Sequence, residues 1–129
     1  MFKRIDHVVI AVKDLEDSAA LYMQKYGLKA TAPEDVPDLG IRIRKVDVGN
    51  SYIELAQPTN PDGPVGKFVA NTGEGLYLIA IQVDSLAATV KNLQDKGARL
   101  IGAENASKKG ARVFVHPKST HGALLMLME

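Results

Sequence analysis

The hydrophobic pattern at the start of the chain predicts a strand followed by a helix. Residues 4–12 alternate weakly and are rich in Val and Ile, as expected of a strand. Asp14 is a good helix N-cap, and apolar residues recur at the helical spacing from Leu15 to Tyr26. Gly27 then has the place of the glycine that ends many helices. We therefore predict the order strand, helix, stop.

The pattern then changes from the helical period to the two-residue period of strands. Residues 28–31 are predicted to form a short strand and residues 33–37 a loop with two prolines. Residues 41–44 alternate strictly, and the strand pattern continues through Val46 and Val48. The turn formers Gly49 and Asn50 then lead into the strand-like residues 51–56. This arrangement predicts a hairpin.

The second half repeats the plan of the first half. When the sequence is shifted by 71 positions, the first strand falls on residues 76–83 and His7 falls on Leu78. Ser85 is the matching N-cap, and three later strands follow the second helix. Glu54 falls on Met126 in the last of these strands. We predict one domain of two βαβββ modules, at about residues 1–62 and 73–129.

Two tandem βαβββ modules define an α+β fold, and we expect them to pair into a curved sheet that forms a cleft. On the two-residue period His7 shares a strand face with Val9 and Ala11, while Glu54 points away from Ile53 and its neighbour Leu55. If the first and last strands of each module meet at the cleft, four repeat-related positions lie there. These positions are His7, Glu54, Leu78 and Met126.

Composition excludes several classes of function. The 129-residue chain has no cysteine, so a metal site would need histidine and carboxylate ligands. A net charge of +1 and only 5% aromatic residues argue against nucleic acid and membrane-surface partners. Apolar runs are too short for a membrane span, and the first residues lack an export signal. We expect a cytoplasmic protein.

Several short motifs, in this order and at these spacings, resemble one superfamily over nearly the whole chain. They are Ile5-Asp6-His7-Val8, Val36-Pro37 to Gly40, Ile53-Glu54-Leu55, Val65-Gly66-Lys67-Phe68, Gly73-Glu74-Gly75-Leu76 and His116-Pro117-Lys118-Ser119-Thr120 with Gly122. The chain resembles the vicinal oxygen chelate superfamily, and within it the methylmalonyl-CoA epimerases. The resemblance implies a glyoxalase-like fold, a homodimer and a divalent metal held by four side chains. It also implies proton exchange at C2 of methylmalonyl-CoA through an enolate.

Carried over residue by residue, the resemblance leaves a degenerate metal site. His7 and Glu54 match the first two ligands of the family. Leu78 stands where the family has a histidine, and Met126 where it has a glutamate. Tyr77 and Leu78 replace a frequent pair of adjacent histidines. Leu and Met are neither general bases nor ligands for hard cations, so the usual metal-assisted epimerisation is not expected.

Three functions remain open at this point. The preferred one is a cleft without a cofactor that binds a small organic or acyl-CoA-type ligand and contains His7, Glu54, Leu78, Met126 and Tyr77. An active epimerase or isomerase could instead hold a weakly bound divalent metal (Co, Mn, Zn or Ni) with His7, Glu54 and waters. The third is a structural or partner-binding homologue.

Other polar residues have simpler interpretations. His116 and His121 are candidate extra ligands, but both lie in a turn-rich segment where an exposed loop histidine is favoured. Basic residues that could meet phosphates of coenzyme A, and that are by default solvated, are Arg42, Arg44, Lys45, Lys108, Lys109, Arg112 and Lys118.

Overall fold

The computed structural model describes all residues from 1 to 129. The strands are β1 (Phe2–Ala11), β2 (Glu34–Val36), β3 (Ile41–Asp47), β4 (Tyr52–Pro58), β5 (Gly75–Val83), β6 (Leu100–Ile101), β7 (Val113–Val115) and β8 (Leu125–Met128). The α-helices are α1 (Leu15–Tyr26), α2 (Pro64–Thr72) and α3 (Leu86–Asp95). The predicted α+β class, with two βαβββ arrangements in tandem, is confirmed.

The chain divides into two compact units. The first unit is His7–Tyr77, and the second is Leu78–Glu129 together with Met1–Asp6. The start of β1 belongs to the second unit, where the carbonyl of Met1 accepts the N–H of Asp84 at 3.2 Å. That the whole chain acts as one domain stays a prediction.

The first unit is a four-stranded sheet with α1 on one face. Its strand order is β2-β3-β4-β1, with β1 parallel to β4 and the other neighbours antiparallel. Ile10 and Ile53 pack towards a core under α1, whose buried residues are Val12, Leu15, Ala19, Val46 and Leu55. Since side chains alternate between the faces of a strand, their neighbours on β1 and β4 point to the other face.

Local chemistry explains why α1 begins and ends where the pattern predicted. The carboxylate of Asp14 accepts the N–H of Asp17 at 2.9 Å, and the side chain of Gln57 accepts the N–H of Leu15 at 2.7 Å. Two of the unpaired donors of the first turn are thereby satisfied. Gly27 ends the helix with φ 66°, a left-handed conformation that glycine adopts without strain.

The second unit has the same plan. Its strand order is β5-β8-β7-β6, with β5 parallel to β8 and the other neighbours antiparallel. The hydroxyl of Ser85 caps α3 by accepting the N–H of Ala88 at 3.2 Å. The core under α3 contains Val83, Leu86, Val90, Ala106, Val113, Val115 and Leu127.

One predicted loop is instead a strand. Residues 34–36 pair antiparallel with β3, and Asp35 forms an ion pair with Arg42 at 3.7 Å. Val36 precedes Pro37, and a residue before proline favours extended backbone. The short strand predicted at residues 28–31 is reduced to one bridge between Ala30 and Val46. Both segments therefore pair with β3, but only residues 34–36 form a strand.

Helix α2 follows β4 and packs beside it. It spans nine residues, and Pro64 lies in its first turn. Gly66 is buried against the preceding turn, where a Cβ atom would lie 2.4 Å from the carbonyl oxygen of Asn60. None of the three α-helices has the length and apolar character needed to cross a bilayer.

Candidate functional site

His7 lies in the middle of β1, on the face of the first unit opposite α1. Its side chain is 5% exposed, and its neighbours Val9 and Ala11 on that face are also buried. The parallel register places His7 beside Tyr52 of β4. The two rings stack, with centroids 4.5 Å apart and an interplanar angle of 11°. Adjacent strands are separated by about the same distance, so the sheet itself sets this stack.

Glu54 occupies the same face of β4, two residues after Tyr52. It is paired with Val9 of β1 on one side and with Lys45 of β3 on the other. His7 and Glu54 are therefore diagonal neighbours on adjacent strands. The structure brings together two residues that the sequence placed 47 positions apart.

Lys45 adds a cation to this face. Its ammonium nitrogen lies 5.2 Å from the centroid of the Tyr52 ring. Strand β4 runs between β3 and β1, so the phenol ring separates the lysine from the imidazole. The first unit thus presents an imidazole, a carboxylate, an ammonium and a phenol on three neighbouring strands. We call this set, His7, Lys45, Tyr52 and Glu54, the polar face.

Sequence reasoning missed Tyr52 and treated Lys45 only as one of several surface cations. The signal was the alternation along the hairpin, because Lys45 and Glu54 share a face once the turn fixes the register. The parallel partner of β4 could not be assigned from alternation alone. Without knowing that β1 pairs with β4, the stack of Tyr52 on His7 cannot be predicted from the sequence.

The second unit carries the repeat-related positions Leu78 and Met126. Met126 of β8 is paired with Ala80 of β5, two residues after Leu78. In the first unit Glu54 is paired with Val9, two residues after His7, so each unit has the same internal register. Leu78 is 5% exposed and Met126 is 8% exposed. Phe114 of β7, the antiparallel partner of Met126, extends this apolar face.

Tyr77 packs against Phe68 of α2. The two rings meet edge to face, with centroids 5.1 Å apart. Burial raises the pKa of the Tyr77 phenol, so this hydroxyl stays protonated at neutral pH. By strand alternation Tyr77 points away from the face that Leu78 occupies.

The other two histidines lie near the end of the second unit. His116 is half-buried, and its Nδ1 accepts the N–H of Lys118 at 3.0 Å. Desolvation, and then the charges of Arg99 and Lys118, lower the pKa of His116. His121 is exposed, with φ 61° in the turn that precedes β8.

The donor chemistry does not fit the four-ligand metal site that the resemblance implies. Leu78 and Met126 offer no oxygen or nitrogen ligand, and a thioether is a soft donor. No group of three or more histidine, aspartate or glutamate side chains is placed to hold a metal ion. We therefore assign no step of any reaction to a bound metal.

The fold and the repeated register define a member of a known class. The chain belongs to the Glyoxalase/Bleomycin resistance protein/Dioxygenase superfamily, whose family model matches residues 6–115. The superfamily inferred from the motifs is confirmed, and with it the glyoxalase-like fold.

Within that class the chain is similar to methylmalonyl-CoA epimerases. It is 36% identical to an ethylmalonyl-CoA/methylmalonyl-CoA epimerase of Cereibacter sphaeroides, over 98% of both chains. A methylmalonyl-CoA epimerase solved with methylmalonyl-CoA and NH4+ is 33% identical, with a TM-score of 0.84 over 98% of this chain and 94% of that one. A hypothetical protein from Bacillus halodurans C-125 is 32% identical, with a TM-score of 0.88 over 96% and 91%.

Proposed function

We propose that this protein binds a small ligand of the acyl-CoA type and does not carry out metal-dependent epimerisation. The observation that carries the proposal is that a chain similar to epimerases has Leu78 and Met126. They stand at two positions where the family resemblance implies metal ligands. We propose that His7, Glu54, Leu78 and Met126 contribute to ligand binding. Tyr77 points away from the face of Leu78 and packs on Phe68, so we leave it out of this set.

The first part of the proposal rests on metal chemistry. A catalytic metal must supply several kcal/mol of stabilisation to a developing enolate. One imidazole and one carboxylate hold a hard divalent ion more weakly than a complete set of four ligands. The side chains of Leu78 and Met126 also cannot take up a proton from the substrate.

The second part rests on similarity and on the polar face. A similar epimerase has been solved with methylmalonyl-CoA, and its fold overlaps this chain over nearly its full length. The polar face keeps charged groups on the first unit, where they could bind an acyl group. We also propose a cytoplasmic location and a homodimer, and sedimentation would test the latter.

A second candidate function is an active metal-dependent epimerase or isomerase that uses His7 and Glu54. It is favoured by the position of these residues on adjacent strands and on one face, which suits two ligands of one ion. Waters would complete the coordination. Under this alternative the metal is Co, Mn, Zn or Ni and is bound weakly.

Ligand binding and proton exchange separate these functions. The melting temperature is measured with methylmalonyl-CoA in EDTA, with free coenzyme A as control, because any ligand of the native state raises it. Deuterium incorporation at C2 is followed in parallel, with cobalt and with EDTA. We expect a raised melting temperature in EDTA and no metal-dependent exchange.

Two results would contradict the proposal in different ways. Exchange that requires cobalt and stops on chelation would establish the metal-dependent alternative. A melting temperature that no thioester changes would favour a structural or partner-binding role.

A further inference from the structure

The polar face holds a fixed cation that the family resemblance does not imply. We propose that Lys45 binds a carboxylate of the acyl group and so gives the protein a metal-independent preference for acyl-CoA thioesters that carry one. This inference rests on the proposed function, since it names the ligand class and the residue that selects it.

Among the basic residues of β3, Lys45 differs in its surroundings. Arg42 pairs with Asp35 at 3.7 Å, and Arg44 pairs with Glu16 at 2.6 Å while donating to the carbonyl of Thr31. These two arginines point to the α1 side of the sheet and meet carboxylates of the protein. Lys45 is on the opposite face, over the Tyr52 ring.

The ring of Tyr52 restricts where the ammonium of Lys45 can go. A cation over an aromatic face gains about 0.5–1 kcal/mol at exposed sites, enough to favour one position of a flexible side chain. Tyr52 is itself held by its stack on the buried ring of His7. A lysine oriented in this way loses less conformational freedom when a ligand binds.

Glu54 stands opposite Lys45 in the register. Its carboxylate attracts the ammonium towards this face of the sheet. Lys45 is partly buried rather than enclosed, and its ammonium group carries three N–H donors. A carboxylate that approaches the Tyr52 edge of the face would meet the ammonium, with the imidazole of His7 beyond the ring.

The test compares two thioesters that differ by one carboxylate. Binding of methylmalonyl-CoA and propionyl-CoA is measured by calorimetry in EDTA, for the parent and for Lys45→Met, Lys45→Arg and Lys29→Met. Lys29 is an exposed lysine of the same unit and serves as the matched control. The comparison of the two thioesters on the parent protein does not depend on whether any variant folds.

We expect the parent to bind methylmalonyl-CoA about 10-fold to 100-fold more tightly than propionyl-CoA, the usual range for a charge-assisted hydrogen bond. Lys45→Met should abolish that preference and leave propionyl-CoA binding within about twofold. Lys45→Arg should keep most of the preference, and Lys29→Met all of it.

The outcomes distinguish this inference from the proposed function. Equal binding of the two thioesters by the parent, or an unchanged preference in Lys45→Met, overturns the inference and leaves acyl-thioester binding intact. Failure of both thioesters to bind in EDTA overturns the proposed function and this inference with it. A preference that appears only with added cobalt overturns the inference alone, because the metal rather than Lys45 would then select the carboxylate.

Discussion

The ring of Tyr52 stacks on the ring of His7, with centroids 4.5 Å apart and planes 11° from parallel. Tyr52 joins the one buried histidine to Lys45, whose ammonium nitrogen lies 5.2 Å from the same phenol ring. The stack therefore links β1 and β4, which are distant in sequence. It also places the Tyr52 ring between His7 and Lys45.

Removing the Tyr52 ring should destabilise the protein. Tyr52→Leu loses the ring stack and the cation–π contact, which together are worth about 1–2 kcal/mol. Tyr52→Phe keeps the ring and should lose less. Urea unfolding followed by circular dichroism measures both, with Tyr26→Leu as an exposed aromatic control. Equal losses in Tyr52→Leu and Tyr52→Phe would show that the ring contacts contribute little.

Restoring the missing donors should create a metal site. The double variant Leu78→His, Met126→Glu is expected to bind one divalent ion per chain, because the family resemblance implies nitrogen and oxygen ligands at the two positions that it changes. Plasma mass spectrometry after dialysis against cobalt or zinc measures the metal content. The parent and each single variant should retain less than the double variant. One tightly bound ion per parent chain would refute our interpretation of Leu78 and Met126.

Adding a methyl group at Gly66 should be strongly unfavourable. Alanine is the better helix former, yet its Cβ would lie 2.4 Å from the Asn60 carbonyl oxygen and 2.8 Å from two atoms of Pro61. Overpacking against a backbone that cannot easily move costs about 1–3 kcal/mol. Chemical unfolding of Gly66→Ala tests this, with Ala70→Gly as an exposed site in the same helix. A stabilised Gly66→Ala would mean that the turn relaxes.

His116 should make stability depend on pH. Desolvation and the nearby charges of Arg99 and Lys118 lower its folded-state pKa below the ordinary value of 6.5. The unfolded chain then binds the proton first, so the contribution of His116 falls as the pH drops through 6.5 and levels off below the folded-state pKa.

The difference in unfolding free energy between the parent and His116→Gln, measured from pH 8 to pH 5, isolates this effect. His121→Asn is the control, since His121 is an exposed histidine in the turn that precedes β8. A difference that does not change with pH, or that changes equally in His121→Asn, would contradict the expected linkage.

Much of the fold was predictable because its signals are local. Asp14 and Gly27 mark the ends of α1 through hydrogen bonds and backbone conformation within a few residues. The repeat identified two βαβββ units, since equivalent strands must bury equivalent faces. The strand at residues 34–36 was missed because its main stabilising contacts are with β3 rather than within its own segment.

The candidate site also has some features that the sequence determines and others that depend on contacts between strands. The sequence by itself determined that His7 and Glu54 carry donors and that Leu78 and Met126 do not, because these are properties of side-chain chemistry. Only the tertiary structure decided that Tyr52 stacks on His7, that Lys45 lies over the same ring and that Tyr77 packs on Phe68. Contacts between strands depend on pairing and register across long stretches of chain, and alternation along one strand does not specify them.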